Sequence, residues 1–311
     1  MGQETMTSTR KNDAPRLGRV GLWTFAFDGE PAGEVRDAAA EIEELGYGAV
    51  WFGEGFGRDS VSQAWLLLSA TQRITVAAGI ANIALRDPIS MAAAERALNE
   101  AHPGRYVLGL GGHRVSDTPI QMDGYAIPSR GRAVATMGAY LDAMDAIPLN
   151  SPAPPYPPHR MLAALGPKML ALAARRTLGA HPYFVPVEHT ARAREIMGPG
   201  ALLAVEQAVV LDPDLDRARE VAREHVSLYR GAAPHQIANL RRLGFDEDEV
   251  AHGGDRLMDA IVAYGDVEAI EKRVRAHFDA GADHVCLQVL TARPGEIPLA
   301  EWRELSALTA L

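Results

Sequence analysis

Cysteine is almost missing from this chain: Cys286 is the only one in 311 residues. A single thiol excludes an intrachain disulfide framework and a cysteine-rich metal site. It stands in the apolar run Asp283-His-Val-Cys-Leu-Gln-Val-Leu290, where a buried, inert thiol is expected, because reactive cysteines need an electropositive and partly exposed setting. No stretch of about 18 uninterrupted apolar residues occurs, so no membrane-spanning helix is expected. Residues 1–16 are polar, without the apolar core of a signal peptide, and Met6 stands where a myristoylation signal wants Ser or Thr. The chain therefore reads as a loose tail over 1–16 and a body over 17–311, in a cytoplasmic protein. Positive charge is also in deficit, with 31 Lys and Arg against 40 Asp and Glu and a formal net charge of −9. That balance weighs against nucleic acid or an anionic membrane as partner. It leaves open a local anion site at a helix start. His102, His113, His159, His181 and His189 are scattered singly, so no metal site is expected.

What is present is a repeated alternation. Apolar runs without polar alternation suggest strands buried on both faces, as in a parallel sheet covered by helices. Eight such runs are expected: Val20–Phe25, Gly48–Phe52, the run from Thr75, Arg105–Gly112, Met161–Leu165, Tyr183–Val187, Leu202–Leu211 and Asp283–Leu290. Helical patterns lie between them: Val35–Leu45, Ser62–Gln72, a Pro88-initiated helix stopped at His102-Pro103-Gly104, one from near Arg130 to Ile147, Pro167–Leu178, a short one from Thr190, Asp216–Tyr229 and Val267–Ala280. Leu299–Leu308 can serve as the last helix. The proline-dense stretch Asn150–Pro158 is either a linker or an exposed connection, and the acidic stretch Phe245–Asp255 is expected to be irregular. Eight βα units favour an α/β fold of the (β/α)8 TIM-barrel kind over an open doubly wound sheet. Barrel sites lie at the carboxyl ends of the strands, which singles out Thr24 and Phe25, Glu54, Gly79 to Asn82, Gly111 to Arg114, Gly166 to Lys168, Val187 to Thr190, Asp212 and Thr291.

Three quotations carry a family likeness. Val50-Trp-Phe-Gly-Glu54, then Ala78-Gly-Ile-Ala-Asn-Ile-Ala-Leu-Arg-Asp-Pro88 through Pro103-Gly-Arg-Tyr-Val-Leu-Gly-Leu-Gly111, and finally Ala163-Ala-Leu-Gly-Pro-Lys-Met-Leu-Ala-Leu-Ala-Ala174 with Gly179-Ala-His-Pro-Tyr183 resemble the bacterial luciferase-like flavin and deazaflavin oxidoreductases. The wording is most similar to the branch that uses coenzyme F420, a deazaflavin. The resemblance implies a luciferase-like barrel, an F420-dependent oxidoreductase with FMN as the alternative cofactor, and a homodimer. Hydride transfer to or from an organic substrate would follow, by reduction of an activated double bond or oxidation of an alcohol. The substrate would be a small molecule or a peptide-borne group. An FMN-dependent monooxygenase and a barrel that binds ligand without turnover are the rival readings.

The likeness also assigns roles residue by residue. It implies a non-prolyl cis peptide at Gly79–Ile80, with Ala81, Asn82 and Gly111 beside it, backing the cofactor ring; from residues alone Gly79 reads equally as an ordinary bulge glycine. Gly166, Pro167 and Lys168 match a phosphate-binding turn, and also a plain helix start with proline in its first turn. Val187, His189 and Thr190 would add donors to the same phosphate, although Thr190 is as good a helix N-cap. Glu54 corresponds to an acidic residue near the ring that could relay a proton; an exposed loop carboxylate is the bland alternative. Gly55 replaces the His that follows this acid in sugar-phosphate dehydrogenase relatives, and His113 with Arg114 stands where they carry a catalytic Glu. His113 is then a candidate acid or base and Arg114 a candidate anion binder, unless both are merely solvent-facing. Trp23 and Phe25 would line the substrate side.

Overall fold

The computed structural model describes residues 15–112, 120–122, 125–127, 133–232 and 234–311. Eight parallel strands close into a barrel: β1 Val20–Thr24, β2 Ala49–Phe52, β3 Thr75–Ala78, β4 Tyr106–Gly111, β5 Arg160–Leu162, β6 Gly179–Ala180, β7 Leu202–Leu211 and β8 His284–Val289. Closure comes from β7, which pairs with β6 through Leu202 and Leu203 and with β8 from Ala204 to Val209. The helices are α1 Ala32–Glu44, α2 Ser60–Ala70, α3 Pro88–Ala101, α4 Ala133–Ala146, α5 Pro167–Arg176, α6 Val187–Met197, α7 Leu215–Ala232, α8 Pro234–Arg242, α9 Glu247–His252, α10 Asp255–Ile261, α11 Val267–Asp279 and α12 Leu299–Leu305.

Outward strand residues such as Leu22, Val50, Val76, Leu108, Leu162 and Val285 pack against the helices, while Trp23, Trp51, Ala77, Val107, Met161 and Cys286 fill the interior. This in–out alternation on continuously apolar strands is the pattern of a helix-covered parallel barrel. The interior holds three imidazole and indole contacts that satisfy buried polar atoms. Trp51 Nε1 donates to His284 Nε2 at 3.0 Å, and His284 Nδ1 donates to the Gly18 carbonyl at 3.0 Å. His181 stacks on Trp51 at 4.4 Å and donates from Nδ1 to the Ala204 carbonyl. Burial holds both imidazoles neutral, near a pKa of about 4. Cys286 is buried with its thiol pKa pushed up by burial, as its apolar setting implied.

Several helices start as their sequences dictate. Asp87 caps α3 through the Ile89 and Ser90 N–H groups with Pro88 in the first turn. Asp246 and Glu249 make a capping box, so the acidic stretch expected to be irregular is helical. The expected strand Tyr183–Val187 is absent: the sixth strand is Gly179–Ala180, and Phe184 takes φ 59° between Pro182 and Pro186. Prolines that cannot donate and a left-handed residue break a ladder there, and Val187 already belongs to α6. Val262–Gly265, not anticipated, adds a short strand beside the end of β7. No helix among the described residues is long and apolar enough to cross a membrane.

Candidate active site

The site grows from an irregularity in β3. Ala77 is opposite Val107 in β4, but Ala81 is opposite Leu110, so one extra residue is accommodated between them. The bulge contains the Gly79–Ile80 peptide, which is cis. Its close approach to β4 depends on Gly109, where a Cβ would lie 1.9 Å from the Ala78 carbonyl oxygen. Trp23 Nε1 donates to the Gly79 carbonyl at 3.2 Å, and Ile80 covers Gly111. The segment Gly79 to Asn82 and Gly111 thus form one structural unit at the carboxyl end of the barrel.

Glu54 holds that unit in place. One carboxylate oxygen accepts from the Asn82 N–H and from Arg86 Nη1, both at 2.8 Å, and the other accepts from the Ser60 N–H at 2.9 Å and from Arg86 Nη2. Burial alone would raise the Glu54 pKa, but the Arg86 guanidinium and the two backbone N–H groups outweigh it and hold the acid below the usual carboxylate range. A carboxylate so bonded is a poor proton donor near neutrality. Its surroundings argue for fixing β3, α2 and Arg86 together rather than for the proton relay expected from the sequence. Arg86 was legible only as part of the quoted motif, and no role was read for it.

His113 and Arg114, the expected acid–base and anion-binding residues, lie outside the described residues. Phe25 is at the rim, half exposed, with its ring edge-on to Trp23 at 4.5 Å. Trp23 itself is buried, so it supports the wall rather than presenting it to solvent.

The second part of the site is where α5 and α6 begin. Gly166 precedes α5 without any side-chain cap, and Pro186 precedes α6 likewise. Uncapped first-turn N–H groups attract anions. Lys168 is exposed on the first turn of α5, and Arg242 from α8 reaches to 3.8 Å from the place a Gly166 Cβ would occupy. Arg192 Nη1 donates to the Arg242 carbonyl at 2.6 Å, adding a second guanidinium. His189 donates from Nε2 to the Leu165 carbonyl at 3.1 Å, which orders the loop into α5 but leaves Nδ1 without a proton. Burial, with Arg242 and Arg192 nearby, lowers its pKa to about 4. It is therefore not the donor to phosphate that the sequence suggested.

Thr190 corrects a second expectation. It is buried inside α6, not its N-cap, and its hydroxyl lies 2.8 Å from His277 Nδ1. Gln207 donates its Nε2 to two carbonyls, so its Oε1 accepts from His277 Nε2 at 2.8 Å. That leaves His277 Nδ1 as an acceptor, and the Thr190 proton is spent on it. Thr190 ties α6 to α11.

Two further clusters were missed. Tyr183, packed on Trp23 at 4.9 Å, donates to Gln288 Oε1 at 2.8 Å and meets the Tyr229 hydroxyl at 2.7 Å. Beneath them Glu206 accepts from the Phe184 N–H at 2.9 Å, and its other oxygen has no partner among the described residues. Burial pushes its pKa up to about 8. A glutamate in the mostly apolar run Ala204–Leu211 was the available signal for this group.

The arrangement can therefore seat a flat group against the bulge and a tail anion at the α5 start. The chain is 26% identical to the "Putative coenzyme F420-dependent oxidoreductase" of Mycobacterium tuberculosis, over 93% of this chain and 98% of that one. Among solved structures it is similar to an F420-dependent secondary alcohol dehydrogenase in complex with an F420–acetone adduct, with a TM-score of 0.70 and 15% identity over 94% of this chain and 98% of the other. It is also similar to the oxygenating constituent of 3,6-diketocamphane monooxygenase of Pseudomonas putida in complex with FMN, with a TM-score of 0.66 and 14% identity over 94% and 97%. At such identities the two structures speak for the fold alone. The luciferase-like monooxygenase profile matches residues 6–284, and on that span this chain belongs to the luciferase-like monooxygenase family.

Proposed function

We propose that the protein is an oxidoreductase that holds coenzyme F420 in the barrel mouth and exchanges a hydride with an organic substrate. The observation that carries this reading is the one-residue bulge at Gly79–Ile80, at the carboxyl end of the barrel and fixed by Glu54 and Arg86. The relative matched over nearly its whole length is named for the same cofactor. When bound, the deazaflavin supplies two-electron hydride chemistry, and the barrel supplies position and shielding.

Each residue then has a task. Ile80, over Gly111, backs the ring. Gly166, the Lys168 N–H and side chain, and the Arg242 guanidinium hold the phosphate of the tail. Phe25, buttressed by Trp23, bounds the substrate side. His113 is the group assigned to supply or take the accompanying proton, with Arg114 as an anchor for an anionic substrate group. Reduction of an activated double bond and oxidation of an alcohol both fit this set, on a small molecule or a peptide-borne group. The exposed apolar side chains Phe56, Trp65, Leu85 and Ile89, in or next to α2 and the start of α3 in sequence, support the homodimer.

The test is the visible absorption and fluorescence of freshly purified protein, with the mass of whatever denaturation releases, followed by titration of the stripped protein with F420 and with FMN. F420 binding is expected. Tight FMN binding with indifference to F420 would transfer the protein to the monooxygenase reading. A bound ring whose redox state answers no substrate would mark a barrel that binds without turnover.

A further inference from the structure

Gln288 lies on β8 in register with Trp23 of β1 and Ala208 of β7. It alternates with the interior residue Cys286, so its side chain enters the barrel at the level of Trp23, near the carboxyl end. Its amide oxygen can only accept, so the hydroxyl proton of Tyr183 is committed to it at 2.8 Å. The 2.7 Å contact between the phenols must then be Tyr229 donating to the Tyr183 oxygen. The chain runs one way, from Tyr229 through Tyr183 to Gln288 Oε1, and neither phenol keeps a proton for a ligand. Burial pushes both phenols up, Tyr229 to about 12 and Tyr183 further, so neither ionises near neutrality. What the cluster presents is the Gln288 Nε2 group, which has no hydrogen-bond partner among the described residues. Its two N–H groups are pinned in direction by the bond at the opposite end of the amide. They sit beside the aromatic wall that Tyr183 presents and the buried Trp23 supports, one indole away from the Gly79 carbonyl.

We propose that Gln288 Nε2 is the hydrogen-bond donor for a carbonyl oxygen of the substrate, oriented by Tyr183 and Tyr229, and that it selects carbonyl compounds with an apolar body that fits the aromatic wall. The inference rests on the oxidoreductase reading and names its substrate class. A neutral donor suits a neutral carbonyl, whereas a carboxylate would favour a cationic partner. Gln288 is a specificity-determining residue, and Tyr183 and Tyr229 are positioning residues.

Cyclohexanone and methylenecyclohexane, in which a CH2 group replaces the carbonyl oxygen, are the probes. They are titrated into 15N-labelled protein as purified and after loading with F420, and the Gln288 amide signals are identified by their loss in Gln288→Leu. The ketone is expected to shift those signals and the hydrocarbon to leave them. Ketone affinity should fall about tenfold in Gln288→Leu and in Gln288→Glu, the scale of one well-made hydrogen bond, with hydrocarbon affinity unchanged within about twofold. Tyr183→Phe keeps the ring on Trp23 but frees the amide to rotate, and should cost roughly threefold. A wild-type protein that binds the ketone no better than the hydrocarbon overturns the proposal, as does a Gln288→Glu variant that keeps the preference. Failure of F420 to bind would remove the oxidoreductase reading while the amide measurement stood; bound F420 with an amide indifferent to the ketone would remove this inference alone.

Discussion

Glu54 and Glu206 are both buried carboxylates whose neighbours push them in opposite directions. Glu54, despite burial, is held below the ordinary range by Arg86 and two backbone N–H groups. Its folded pKa is depressed, so its contribution to stability is present above the unfolded carboxylate pKa and is lost as pH falls through the folded one. Glu54→Gln leaves the largely buried Arg86 with only the half-exposed Asp59 as charge partner, and a loss of about 1–3 kcal/mol at pH 7 is expected. Denaturant melts should show the gap between wild type and variant narrowing at acid pH; a gap independent of pH would mean the charge is not what Glu54 contributes. Glu206 reverses the sign. Burial raises it from 4.5 to about 8, so the folded state holds a proton that the unfolded state has released. Its contribution is full below the unfolded pKa, declines across the interval to about 8, and is gone above that. Glu206→Gln keeps an acceptor for the Phe184 N–H and removes the titration. Wild type should lose stability relative to the variant as pH rises from 5 to 8, with a slope approaching about 1.4 kcal/mol per pH unit. Parallel profiles for the two proteins would show that Glu206 is solvated and titrates normally.

At the scale of the element, α6 shows how a motif can be recognised and its chemistry misassigned. Val187-Glu-His-Thr190 was legible as a loop-to-helix junction near a phosphate turn, but sequence could not show that Thr190 turns its hydroxyl toward α11. His277 is 87 residues away in the chain, and the helix start is set by Pro186 four residues earlier. Thr190→Val is therefore expected to cost about 1–2 kcal/mol by orphaning His277 Nδ1, with F420 affinity unchanged. Arg242→Ala should do the reverse, weakening F420 roughly three- to tenfold at little cost to stability, because Arg242 sits at the rim of the α5 start. Isothermal titration paired with thermal unfolding separates the two; an equal loss of affinity in Thr190→Val would restore the hydroxyl to the phosphate site. Long apolar strands such as Leu202–Leu211 were legible to the residue because both faces are buried. The sixth strand was displaced because its two residues carry no run of their own, and the apolar letters that follow belong to a proline-bracketed corner.

For the whole molecule, that short sixth strand is also the place where the barrel closes. From β8 through β1 and β2 to β3 each junction is a ladder of three or four residues, whereas β6 meets β7 only at Gly179 with Leu202 and Ala180 with Leu203, and meets β5 through the same two residues. Closure there needs a glycine: a Cβ on Gly179 would lie 1.8 Å from the Leu202 carbonyl oxygen. The barrel was readable from the count of βα units, but its weak seam was not, since it depends on which strand is shortest and on backbone approach. The seam matters for the proposed function because α5 and α6, whose starts are proposed to meet the cofactor phosphate, flank it on either side of β6. Gly179→Ala should therefore open the barrel locally before it unfolds globally. Hydrogen exchange should show the Leu202 amide, bonded to the Leu178 carbonyl, and the His181 amide, bonded to the Leu162 carbonyl, losing protection while amides of β1 and β2 keep theirs. F420 affinity should fall in step with that opening. A uniform loss of protection around the sheet would mean that closure is shared by all the strands, and that the cofactor site does not depend on this one junction.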